Sequence, residues 1–279
     1  MKYSLIVASV TALTLLASGC AAATEPSQEA VPPSIDHVHG IAADPRGDEL
    51  FIATHNGIFT IAPTGKVSGP IGGYDFDAMG FTVADETIFA SGHPGLQTPT
   101  ELGSPNLGII RSDDFGESWS PVAFTSIEDF HVLTAGPDRT LYGIGSSTID
   151  LLISTDNGTE WTRGAPLAAA DLATTDDGVY AATEEGLQVS TDRGTTFTLV
   201  SDAPVLYSLD ARPDGTLVGA GIDGGLWSQA TDGTWAKLDS LVGPVQALAA
   251  ISADRTVLVD DRGIVEVTPN GSAVLSPAG

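Results

Sequence analysis

The chain has 279 residues, with 36 acidic against 11 basic side chains and a formal net charge of −25. A surface of that sign repels phosphate backbones and anionic headgroups, so nucleic-acid binding is excluded, while metal ions and other cations are attracted. The single cysteine, Cys20, leaves the fold with neither a disulfide nor a thiolate ligand.

Residues 1–19 read as an export signal: Lys2 supplies a short positive start, Leu5 to Leu16 is apolar, and small residues follow. The stretch Leu16-Ala17-Ser18-Gly19-Cys20 resembles a bacterial lipobox, with Ala17 where leucine is usual. The resemblance implies cleavage before Cys20, lipidation of its sulfur and an extracytoplasmic protein anchored to the bacterial cell membrane. The apolar run is too short for a permanent spanning helix. Residues 20–34 continue as Ala, Glu, Pro and Ser without periodicity, the composition of a flexible tether. Residues 35–279 remain as one domain, ample for a large core.

That domain repeats itself about every forty residues. Each unit opens with an alternating strand that ends in an Asp, Pro or Gly turn, followed by a second strand, a Gly, and a third strand. The first strands begin at His37, Phe76, Phe130, Ala169, Leu206 and Val245. Aligning them gives an anchor column of His39, Met79, His131, Ala170, Tyr207 and Gln246, with steps of 40, 52, 39, 37 and 39. The insertion PGLQTPTELGSPN, residues 94–106, accounts for the long step. Short strands, tight turns and this period predict an all-β, six-bladed propeller, with seven blades as the alternative.

Between third and fourth strands lie SDDFGESW at 112–119, STDNGTEW at 154–161 and STDRGTTF at 190–197, with a degenerate SQATDGTW at 228–235. These resemble Asp-boxes, S-x-D-x-G-x-x-W/F. The chain is thus similar to the Asp-box (BNR-repeat) propellers, a superfamily that spans sialidases, sortilin-type receptors and photosystem assembly factors. The combination HVHG, ATHNG, SGHPG and DFHVL further resembles an exported subgroup described only as glycosyl-hydrolase-like. The resemblance implies fold far more than function, and it implies structural roles for Asp114, Asp156 and Asp192.

All five histidines, His37, His39, His55, His93 and His131, fall in the first half of the chain, as does Met79. First and second strands of a blade are antiparallel, so first-strand starts and second-strand ends share one rim. The six side chains are therefore expected at one mouth of the channel, on three consecutive blades. Imidazoles with a thioether predict a transition-metal site, copper first, then zinc, nickel or iron. The flanking carboxylates Asp36, Asp75, Asp77, Glu128 and Asp129 are expected to orient imidazoles, or to serve as acid and base.

Other chemistries are weaker. A sialidase needs an arginine triad, and Arg46, Arg139, Arg212 and Arg255 fall in turns at the opposite rim. Glycoside hydrolysis needs only two carboxylates, which Asp75, Asp77, Glu128 and Asp129 supply. A scaffold for envelope proteins or a glycan-binding module is the third possibility. The segment after His93 is expected as a lid or a long surface loop.

Overall fold

The computed structural model describes Ile35 and residues 37–278. The export signal, Cys20, the tether and Asp36 lie outside the described residues. The architecture is a six-bladed β-propeller of six four-stranded antiparallel sheets, each built from consecutive strands. The innermost strands are Val38–Ala43, Asp77–Ala84, Phe130–Ala135, Ala169–Thr175, Leu206–Ala211 and Ala247–Ser252. Each lies against the next, and the sixth lies against the first.

The second strands are the most buried. Leu50–Thr54 and Leu217–Gly221 are buried at every position. They read as continuous apolar runs because both faces of a blade are covered by neighbouring blades. The core is correspondingly divided into clusters, most of them spanning a seam between blades. Leu50, Ile52 and Ile61 of blade 1 pack with Ala247, Val257, Val259 and Ile264 of blade 6. Among the described residues no strand is exchanged to close the ring; packing and a hydrogen bond from Val38 N to Gln246 Oε1 at 2.9 Å do so.

Innermost strands have one unpaired edge, and backbone N–H groups there need partners. Side chains from adjacent blades supply them. Ala135 N donates to Thr82 Oγ1 at 3.1 Å. Leu209 N donates to Asp171 Oδ2 at 3.0 Å, and Ala250 N to Asp210 Oδ2 at 2.8 Å. Close approach at the seams also demands glycine. A Cβ on Gly80 would stand 2.4 Å from the Phe130 carbonyl oxygen of the next blade.

The S-x-D-x-G-x-x-W/F turns repeat one set of bonds. Ser112 Oγ accepts from Gly116 N at 2.7 Å and donates to Asp114 Oδ1 at 2.8 Å. Asp114 Oδ1 accepts from Ser118 N at 2.8 Å, and Trp119 Nε1 donates to the Gly116 carbonyl at 3.1 Å. Ser154, Asp156 and Trp161 do the same in blade 3, and Ser190 with Asp192 in blade 4. Asp114, Asp156 and Asp192 are thus turn locks at the rim opposite the histidines. Hydrogen bonds from Thr196 hold the Asp192 carboxyl down to about 2. The degenerate fourth copy keeps a positive-φ Gly233, but Trp235 Nε1 is buried without a partner.

Two results are expected. Ser112→Ala leaves the buried Gly116 N–H without its acceptor and should cost about 1–3 kcal/mol, read as a lower urea midpoint. Burial pushes the Asp171 and Asp210 carboxyls up to about 6 against hydrogen bonds that lower them. Both are raised above the unfolded value of 3.8. The native state therefore binds extra protons between those values, and this contribution grows as pH falls from about 6 to 4. Asp171→Asn removes its share, so its Tm relative to the parent should decline between pH 7.5 and 5. A pH-independent difference would refute the assignment.

Candidate metal centre

Blade 1 ends its second strand at Thr54, and the tight His55–Asn56 turn places His55 at the channel mouth. His39 sits on the innermost strand of the same blade, and Asp77 starts the innermost strand of blade 2. Thr54 secures the turn: its Oγ1 donates to the Gly57 carbonyl at 2.8 Å and accepts from Asn56 N at 3.0 Å.

These elements bring three side chains together at the seam. His39 Nε2 lies 3.2 Å from Asp77 Oδ1, and His55 Nδ1 lies 3.2 Å from Asp77 Oδ2. The two ring nitrogens are 3.4 Å apart. One ligand atom from each of the three falls within 4.8 Å of the others. Donors bound tetrahedrally at about 2.05 Å from one ion stand about 3.3 Å apart; the two imidazole nitrogens have that spacing, and each has it to a different oxygen of Asp77. Asp77 Oδ1 is buried and receives no hydrogen bond of acceptable geometry, although an imidazole nitrogen is close. A buried carboxylate oxygen left in that state wants a cation. The residues present therefore fit a metal ion. His55 is 56% exposed, so the group opens to solvent on one side.

The remaining expected ligands are distributed differently. His37 precedes the first strand with φ at 46°, an uncommon conformation for a non-glycine residue. Its ring centroid is 5.8 Å from that of His55, but its nitrogens do not fall within the 4.8 Å group of His39, His55 and Asp77. His93 and His131 gather around a second carboxylate, Asp129. His131 Nε2 is 2.7 Å from Asp129 Oδ2, and His93 Nε2 is 3.6 Å from the same oxygen. His93 Nδ1 faces the Pro105 carbonyl at 3.2 Å, an acceptor, so that nitrogen carries the proton. Burial alone would push the Asp129 carboxyl up; bonds from Ser146 and His131 and the nearby imidazoles outweigh it and hold it below the usual range. Met79 lines the wall of a central cavity of about 760 Å³ beneath the mouth, together with His39 and His131.

The structure thus divides one expected cluster into two imidazole–carboxylate groups on successive seams. Asp77 and Asp129 stand two residues before the anchor positions Met79 and His131, and each takes an imidazole from the end of the preceding blade's second strand. Asp77, expected as an orienting group, is central to the first set. That equivalence was available in the repeat alignment, two positions before the anchor column.

Asp75 and Glu128 are not brought to the imidazoles. Asp75 accepts from Gln97 N at 2.9 Å and Thr98 Oγ1 at 3.1 Å, and so anchors the segment 94–106. Glu128 is buried and accepts from Ser146 Oγ, Ser147 N and Ser147 Oγ. Segment 94–106 is pinned by these bonds and by the buried Leu102. It stands beside His93.

No protein-family model matches the sequence, and no curated protein matches it. Among solved structures, the chain is similar to a gluconolactonase from Xanthomonas campestris at 12% identity and a TM-score of 0.62, over 84% of this chain and 86% of that one. It is similar to virginiamycin B lyase from Staphylococcus aureus at 16% identity and a TM-score of 0.55, over 84% and 82%. It is also similar to YCF48 bound to D1 peptide, at 14% identity and a TM-score of 0.52, over 87% and 84%. At such identities the likeness is one of propeller fold, and the chemistry must be argued from the residues at the mouth.

Proposed function

We propose that the protein is an exported, lipid-anchored propeller of the Asp-box kind that binds a divalent transition metal through His39, His55 and Asp77. The observation that carries this reading is the convergence of two imidazole nitrogens, 3.4 Å apart, each 3.2 Å from a different oxygen of the Asp77 carboxylate, one of which is buried and lacks a donor. The His37 ring stands 5.8 Å from that of His55. The His93–His131–Asp129 group is a neighbour held by its own hydrogen bonds.

Copper remains the first candidate. Divalent copper heads the affinity order for sites of nitrogen and oxygen donors, with zinc, nickel and iron as competitors. Met79 lines the same cavity wall as His39, and it is kept as the axial thioether ligand that would favour Cu(I). Three protein donors leave coordination positions open, which suits exchange of the ion or activation of a bound water more than a closed structural site.

A second reading is a carbohydrate-active protein, favoured by the cavity of about 760 Å³ directly beneath the mouth. It is the weaker one. Two of its four expected carboxylates, Asp75 and Glu128, serve loops. The other two, Asp77 and Asp129, each face two imidazoles.

The test is copper and zinc titration of the 279-residue chain carrying Cys20→Ser, which blocks lipidation. One equivalent of copper should bind, with copper displacing zinc. The double variant His39→Ala/His55→Ala should lose affinity by at least about a hundred-fold, more than loss of an outer partner costs. His131→Ala should stay within about three-fold of the parent. Because imidazole ligands must be deprotonated, affinity should fall steeply as pH is lowered from 7.5 to 5. Uptake that survives the double variant, or that is unchanged at pH 5, would refute imidazole ligation.

A further inference from the structure

The large apolar side chains left exposed are not scattered. Nine stand out among the described residues: Leu96, Ile127, Ile149, Leu199, Val205, Ile222, Leu238, Val242 and Val274. Leu199, Leu238 and Val274 lie on outermost strands. The other six all lie in loops of the rim that carries the histidines. Leu96, Ile149 and Ile222 are between second and third strands; Ile127, Val205 and Val242 are between one blade's last strand and the next blade's first. None lies at the opposite rim, where the Asp114, Asp156 and Asp192 turns are. Leu96 is 96% exposed, Ile127 74% and Ile222 71%. Single exposed apolar residues are ordinary, but a set confined to one face marks an interaction surface.

The charges between them are nearly all negative. Glu101, Glu184, Glu185, Asp202, Asp223 and Asp261 are exposed in the same loops. Arg262 is the one lysine or arginine in these loops among the described residues, and Asp260 holds it at 2.7 Å. An apolar surface interleaved with carboxylates rejects a second copy of itself and an anionic lipid surface by like-charge repulsion. It complements a polypeptide whose apolar side chains are flanked by lysine or arginine.

We infer that this rim is the docking face for a basic, amphipathic polypeptide partner, which would sit over the channel mouth. The inference rests on the apolar crown and its acidic setting, and stands whether or not a metal is bound. A partner on this face would cover the exposed side of the His39–His55–Asp77 group.

The test uses the 279-residue chain carrying Cys20→Ser and a synthetic helical peptide of leucines and lysines, labelled for fluorescence anisotropy. Binding should be saturable and weaken with salt. Leu96→Asp/Ile222→Asp should weaken it by about ten-fold or more, and Glu184→Lys/Glu185→Lys should weaken it and flatten its salt dependence. Leu199→Asp/Val274→Asp, on outermost strands, should change it by less than about two-fold. Binding should be the same with excess EDTA as without it, which separates this result from the metal reading. Absence of binding, or equal loss in the outer-strand variant, would overturn the inference. So would rim-dependent binding to phosphatidylcholine vesicles, or rim-dependent dimerisation in sedimentation, without peptide binding.

Discussion

The ring depends on how the edges of its innermost strands are satisfied. Each blade is a twisted four-stranded sheet whose innermost strand pairs on one side only. Six such strands surround a channel too wide for them to pair with one another, so their free N–H groups and their packing must be completed by side chains reaching across the seams. Asp171 and Asp210 reach forward to the next blade, Thr82 receives the Ala135 amide, and Gln246 receives the Val38 amide. Each clasp is a small net gain, but an unmade one would leave a buried polar group beside an apolar seam, which costs more. That asymmetry explains why a polar residue persists at these positions in an otherwise apolar pattern.

The candidate metal centre occupies the same kind of place. At the seam between blades 1 and 2 the cross-seam contact is made by Asp77 with His39 and His55, and at the next by Asp129 with His93, while His131 meets Asp129 from the same blade. The geometry that elsewhere brings a carboxylate to an amide here brings it to imidazoles. Asp129 is saturated by Ser146 and His131, whereas Asp77 keeps a buried oxygen without a donor. This difference in saturation, rather than a difference in residue type, separates a hydrogen-bonded array from a group suited to a cation.

The two rims are built for different work. The opposite rim carries the serine–aspartate–glycine turns, in which buried serine hydroxyls and positive-φ glycines lock each hairpin in one conformation. The histidine rim has loops of unequal length, anchored individually, as segment 94–106 is by Asp75. A rigid base with variable loops on one face lets ligand groups differ from blade to blade without disturbing the ring.

How much of this was legible in the chain follows from what is periodic. Strand number, the propeller architecture, the turn locks and the common rim of the histidines all repeat along the chain, and a repeat of about forty residues with strict strand alternation favours six blades over seven. The partition of the imidazoles was not legible. His39 and His131 occupy equivalent anchor positions, yet one shares Asp77 with His55 and the other is held by Asp129. Likewise Asp75 and Glu128 carry the same functional group as Asp77 but are drawn to Thr98 and to Ser146 and Ser147. Strand register is local and periodic, so the chain alone assigns residues to the mouth. Which of them meet is settled in three dimensions, because the contacts of His55 and His93 cross seams between blades, where distances of a few ångströms depend on the packing of residues far apart in the chain.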